Sequence, residues 1–177
     1  MPPPRRPLPP LNRAGLERLA LRYVERFATT QGKLTAYLLR KMRERGVEEP
    51  APDPAEIAAR FAELGYVNDR LYAESKAAAM ARRGLGARRV SEALRHAGIA
   101  APDMAEIAPD IAARRVDTAL DFARRKRIGP FADTPADRPR MTKQVAAMVR
   151  AGHAPELAWR IARMEPGADP STLVDDR

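Results

Sequence analysis

Ala55-Glu56-Ile57-Ala58 returns as Ala105-Glu106-Ile107-Ala108 and again as Pro155-Glu156-Leu157-Ala158. The glutamates at 56, 106 and 156 keep a period of 50. Self-similarity at that scale marks one supersecondary unit used several times, and it sets the fold before any single residue is read. Around each signature, apolar residues recur at helical spacing. Ile57, Phe61 and Leu64 follow the first glutamate, and Leu157, Ile161 and Met164 the third. The second copy has Ile107 and Ile111 but Arg114 in the third place, so its helix is expected to turn directly into the one beginning near Val116.

Working outward, each period carries two further helical stripes. Leu16, Leu19, Ala20, Tyr23, Val24 and Phe27 make one apolar face, and Leu34, Leu38 and Met42 a second that stops at Gly46. Leu71, Tyr72, Ala78 and Ala79 are followed by a break at Gly84-Leu85-Gly86, then by Val90, Leu94 and Ala97 ending at Gly98. Val116, Ala119, Leu120 and Ala123 lead through a loop to Met141, Val145 and Met148, ending at Gly152. The expectation is an all-α fold: an elongated tandem array of three three-helix units at 14–66, 67–113 and 114–164. Residues 1–13, with six prolines and three arginines, read as a disordered basic arm, and the net acidic residues 165–177 as a disordered tail. Asp53 and Asp103 lie three residues before Glu56 and Glu106, the spacing of a capping box, while the aligned position of the third unit is His153. The repeated glutamates are therefore read as helix-start chemistry, since paired catalytic carboxylates would have to converge.

Composition agrees with helices packed on helices. The chain has 177 residues, 45% hydrophobic but only 5% aromatic. Its net charge is +9 and its pI about 10.6, a balance that suits a polyanionic partner: nucleic acid first, an acidic protein surface second. The absence of cysteine excludes disulfides, thiolate metal sites and a cysteine nucleophile. Met1–Pro10 is mostly proline without an apolar core segment, unlike a secretory signal, and no stretch approaches the ~20 apolar residues of a membrane span, so a cytoplasmic protein is expected.

Catalytic chemistry is hard to find. There is no Walker-type glycine loop, dinucleotide fingerprint or His-Glu-x-x-His run. His96 and His153 are the only histidines, too few for a closed zinc site without carboxylates. Gly84-Leu85-Gly86, flanked by arginines, has two readings: a backbone cradle for phosphate, or a helix cap with a tight turn. The expectation is a protein that is not an enzyme and has no cofactor or metal.

The cations are more informative. Arg82, Arg83, Arg88, Arg89 and Arg95 form one cluster; Arg124, Arg125, Lys126 and Arg127 form a second that continues to Arg138, Arg140 and Lys143. In the first unit Arg40, Lys41, Arg43 and Arg45 end the middle helix. A cation near a helix C-terminus is favoured by the dipole, which accounts for Arg43, Arg45 and Arg95. Four consecutive cations at 124–127 exceed that need and point to binding. Arginine suits bidentate contact with phosphate or carboxylate alike. Tyr23, Tyr72 and Phe122 hold equivalent places in the first helices and read as core. Trp159 aligns with Ala59 and Pro109, outside the repeated core, and reads as a partner anchor or as packing at the array end.

The stretch Phe61-Ala62-Glu63-Leu64-Gly65-Tyr66-Val67-Asn68-Asp69-Arg70-Leu71-Tyr72-Ala73, followed by Gly86-Ala87-Arg88-Arg89-Val90-Ser91-Glu92-Ala93-Leu94 and Ala97-Gly98-Ile99, resembles the central signature of the RecX regulatory proteins. Asn68 stands where that signature usually has an aspartate, at a helix start where asparagine also caps. Phe122-Ala123-Arg124-Arg125-Lys126-Arg127-Ile128-Gly129-Pro130-Phe131 resembles a corresponding segment in some members. The resemblance spans roughly 16–164 and implies an array of three-helix units that binds the RecA filament on single-stranded DNA. It further implies inhibition of recombinase, ATPase and co-protease activities, with weak direct DNA binding. A monomer is expected. The rival expectations are a general basic DNA-binding architectural protein and a helical scaffold for another acidic partner.

Overall fold

The computed structural model describes residues 9–173. Within them the chain forms nine α-helices: α1 Arg13–Val24, α2 Gln31–Arg45, α3 Pro54–Glu63, α4 Asp69–Arg82, α5 Ala87–His96, α6 Ala101–Ala113, α7 Arg115–Lys126, α8 Arg138–Arg150 and α9 Pro155–Ala162. Short 3-10 turns lie at Gly129–Phe131 and Pro170–Leu173. The all-α class is as expected, with three helices to each period. Arg114 alone separates α6 from α7, at φ −89° and ψ 7°, the direct turn that its charge in place of an apolar residue predicts.

Cα packing divides the chain into two compact units rather than three. The first comprises 9–72 together with Ala97–Ile99, the second Ala73–His96 with 100–173. In the first unit Leu16 and Ala20 of α1, Leu34 and Leu38 of α2, and Ile57, Ala58 and Phe61 of α3 are buried together. In the second, Ala119 and Ala123 of α7, Val145 and Met148 of α8, and Ala158 and Ile161 of α9 form the core. Two expected core residues of the first unit are not in it: Phe27 and Leu64 are each 53% exposed. Both lie just beyond the last helical residue, where the stripe no longer points inward.

The ends differ from the expected disorder where they are described. Residues 1–8 and 174–177, which carry most of the expected arm and the end of the tail, lie outside the described residues. Leu11, however, is 2% exposed; its N–H donates to Gly46 O at 2.9 Å and its carbonyl accepts from Glu48 N at 3.0 Å. Asn12 caps α1 through Gly15 N at 2.9 Å. At the other end Gly167 N donates to Pro130 O, and Leu173 is buried in the second core. Composition misleads here because one leucine in a proline-rich or acidic segment suffices to anchor it.

The capping boxes are also corrected. Asp53 caps α3 through Ala55 N at 2.8 Å, but Glu56 reaches Arg13 instead, with contacts of 3.2 Å. Asp103 lies inside the first turn of α6, whose N-cap is Ala100, and the N-cap of α9 is Ala154 rather than His153. The sixth residue of α6 is Glu106, while Glu156 is the second of α9, so the constant period conceals a shifting helix register.

Candidate partner-binding surface

The basic clusters of the second unit meet around Gly84-Leu85-Gly86. Glycine is required at this point by close backbone approach: a Cβ on Gly86 would stand 2.3 Å from the carbonyl carbon of Gly152. Gly86 N donates to Ala151 O at 2.9 Å and Arg88 N to Gly152 O at 3.3 Å. Gly86 N, just ahead of α5, and Arg88 N in its first turn are thus taken up by the end of α8. That overturns the phosphate-cradle reading, because another part of the backbone already occupies the cradle. His153 completes the node, its Nε2 bonding Gly84 O at 3.0 Å. The imidazole is buried, and burial lowers its pKa while the Gly84 carbonyl pulls the other way.

This node draws together the ends of α4, α7 and α8 with the start of α5, and the arginines follow. Arg125 donates to Asp121 O at 3.1 Å and to Arg82 O at 3.5 Å, linking the two predicted clusters. Arg88 bonds Val149 O at 2.8 Å and pairs with Glu92; Arg89 pairs with Glu92 at 3.5 Å. Arg95 bonds its own helix at Ser91 O. Arg83 is exposed beside Gly84 with no carboxylate in ion-pair reach among the described residues. The backbone engages Arg88, Arg95 and Arg125 and so orients them, leaving guanidinium edges exposed.

The rest of the second cluster spreads away. Arg124 pairs with Asp121 at 3.0 Å and lies over the Phe131 ring at 4.8 Å; Arg127, in a left-handed conformation at φ 52°, pairs with Asp133 at 3.2 Å. Lys126 is exposed and without an ion pair among the described residues. Arg138, Arg140 and Lys143 belong to the first half of α8, the opposite end of that helix from the node. At 1.5 Å per residue they stand roughly 12 to 20 Å from Ala151. Trp159 is half-buried against the second core, with Arg163 5.0 Å above its ring. Tyr23 and Phe122 pack against their cores as expected, and the Tyr72 hydroxyl accepts from Lys33 Nζ at 2.6 Å.

Sequence reasoning missed one surface of the first unit. Tyr23 stacks on Tyr37 at 4.3 Å and contacts Phe27 at 5.2 Å, giving three rings in a row. Arg26 lies 5.9 Å from the Phe27 ring centre, and Arg40 and Lys41 lie 5.6 and 5.9 Å from that of Tyr37. The available signal was spacing: Tyr23 and Phe27 are i,i+4, and Tyr37 stands three and four residues before Arg40 and Lys41.

No group of three His, Cys, Asp or Glu capable of holding a metal occurs among the described residues. The groove between α4, α5, α6 and α7 is mixed, with Leu85, Val90, Ile107 and Ile111 beside Glu74, Asp110 and Arg114. Among the described residues no helix is long and apolar enough to cross a membrane. The second unit therefore presents a group of exposed arginines on a helical scaffold.

No family model matches the chain. It is 30% identical over 161 residues to the Regulatory protein RecX of Myxococcus xanthus (strain DK1622), covering 85% of this chain and 86% of that protein. The crystal structure of RecX from Lactobacillus salivarius matches with a TM-score of 0.56 at 19% identity, covering 84% of this chain and 92% of that one. A second crystal structure of a regulatory protein RecX matches at 0.55 and 21% identity, covering 84% and 72%. The chain belongs to the RecX family of regulatory proteins.

Proposed function

We propose that this protein binds the RecA filament on single-stranded DNA and inhibits its recombinase, ATPase and co-protease activities, thereby modulating DNA repair and the damage response. The observation that carries the reading is the similarity to Regulatory protein RecX along most of both chains. The exposed arginines around Gly84-Leu85-Gly86, at a pI of about 10.6, supply the charge that an acidic filament surface or its DNA would meet. A monomer in the cytoplasm with weak direct affinity for DNA completes the proposal.

The test is RecA ATP hydrolysis on single-stranded DNA, with this protein titrated far below the recombinase concentration. Inhibition at sub-stoichiometric amounts is expected, since one molecule then acts on many subunits. Inhibition only near full coverage of the DNA would favour a plain DNA binder, and none at all by a folded protein would leave a scaffold for another partner. A charge reversal of Arg124, Arg125, Lys126 and Arg127 to glutamate is expected to weaken inhibition with helicity unchanged. Unaltered inhibition by that variant would remove the 124–127 cluster from the surface.

A further inference from the structure

We propose that the ring row of the first unit, Phe27, Tyr23 and Tyr37 with Arg26, Arg40 and Lys41, is a base-stacking site for single-stranded nucleic acid. It is separate from the arginines of the second unit and does not depend on the filament reading.

Four observations carry this. Phe27 is 53% exposed although it has no hydrogen-bonding group, so it offers apolar surface to solvent, held in place by Tyr23. The rings succeed one another at 5.2 and 4.3 Å, and Tyr23 and Tyr37 are nearly parallel at 19°. Each end of the row carries a cation against a ring: Arg26 at Phe27, Arg40 and Lys41 at Tyr37. Finally, α2 contributes five cations, Lys33, Arg40, Lys41, Arg43 and Arg45, against the single carboxylate of Glu44. Glu44 receives Lys41 Nζ at 2.6 Å and Arg40 Nε at 3.6 Å, which lays both side chains along the face and leaves it net positive.

An exposed ring beside cations suits a nucleotide chain, in which each flat base lies next to an anionic phosphate. A duplex would offer the phosphates but keep its base faces stacked inside. An acidic protein would meet the cations and leave the ring faces without a flat partner. The combination therefore fits an unpaired strand best.

The experiment measures binding of the whole protein, by fluorescence anisotropy, to a labelled oligothymidylate of roughly 15 nucleotides and to an abasic phosphodiester strand of equal length. The oligothymidylate is expected to bind about tenfold more tightly, because stacking adds to phosphate contact. Phe27→Ala is expected to lose most of that preference while leaving the abasic affinity unchanged. Arg40→Gln with Lys41→Gln should weaken both strands and reduce the salt slope by about 1.4. Phe27 is exposed, so its variant should fold; Tyr37→Leu, which keeps an apolar group against Tyr23, serves as a second variant and should also lose the preference. Equal binding of the two strands by the unaltered protein would overturn the proposal, as would an undiminished preference in Phe27→Ala. Loss of RecA inhibition in Phe27→Ala with oligothymidylate binding intact would assign the face to protein and overturn it too. A base preference in a protein that fails to inhibit RecA would instead sink the filament reading alone.

Discussion

Gly32 meets Gly98 in the first unit much as Gly86 meets Gly152 in the second, at the same spacing along the chain, yet the two contacts are finished with different chemistry. In the first, the amides at the start of α2 are satisfied by side chains: Lys33 N by Thr30 Oγ1 at 3.1 Å and Gln31 N by Asp69 Oδ1 at 2.8 Å. Thr30 Oγ1 in turn donates to Ala97 O. In the second, the start of α5 takes its acceptors from backbone, Ala151 O and Gly152 O, and the lone side chain is a buried imidazole on Gly84 O. A repeated fold can thus conserve an approach of backbones while its hydrogen bonds are supplied in either of two ways. Glycine is the fixed element, because only the missing Cβ permits the approach.

The sharpest way to break the comparison is to restore that Cβ. In Gly86→Ala it would lie 2.3 Å from Gly152 carbonyl carbon and oxygen and 2.5 Å from His153 N, all backbone atoms that side-chain rotation cannot move. A loss on the order of 3 kcal/mol or more is expected. Gly32→Ala meets Gly98 Cα at 2.8 Å and its oxygen at 2.9 Å, a looser contact, and should cost about half as much. Urea unfolding of both variants checks the order. A Gly32→Ala loss equal to or above that of Gly86→Ala would show that the two contacts are not graded by distance.

Each unit is also closed by one leucine from a segment whose composition suggests no structure, and truncating these gives effects of the next size. Leu11→Ala and Leu173→Ala are expected to cost about 2–4 kcal/mol each. Removal of residues 1–8 should cost little by the same urea measurement, for among the described residues the first buried side chain is Leu11. A cooperative loss on that deletion would show that the arm contributes to the core after all.

These cases mark how far the sequence can be read. The three-by-three helix order followed from stripes such as Leu34, Leu38 and Met42, because a periodic apolar face is a local property. Gly46, Gly98 and Gly152 were legible as helix stops, and their φ angles of 76°, 76° and 98° agree. What Gly32 and Gly86 do was not legible, since a close approach between distant backbones leaves no mark on neighbouring residues. The same holds for the site. Clusters 82–89 and 124–127 were visible as charge, but their meeting through Arg125 and Arg82 O depends on the ends of α4 and α7 coming together. Arg138, Arg140 and Lys143 looked continuous with them in sequence and are set two or more turns back along α8. The ring row escaped notice because Tyr23 and Phe27 share a stripe in sequence, although one packs and the other faces solvent.

Removing the hydroxyl from the first contact tests the side-chain solution. Thr30→Val keeps the volume but forfeits the cap on Lys33 N and the bond to Ala97 O. A loss of about 1–2 kcal/mol is expected, and it should be the same at pH 5.5 as at pH 7.5, since neither partner titrates. A loss below a few tenths would mean that Asp69 alone suffices to hold the start of α2.

The smallest effect separates the two contacts by pH. His153 is buried, and burial holds its pKa below the ordinary histidine value of about 6.5. Between the folded and unfolded values the unfolded chain binds more protons, so stability rises with pH there. The stabilisation is fully present above about pH 6.5 and declines as pH falls from that value toward the folded one. Comparing urea midpoints of the unaltered protein and His153→Gln across pH 5 to 8 isolates this group, because His96 and every carboxylate are common to both. The difference between the two should shrink as the pH falls, since the glutamine amide can bond Gly84 O at any pH while the imidazole must resist a proton. A difference that stays constant would mean that His153 accepts a proton without disturbing the node, and the two contacts would then differ in composition but not in response.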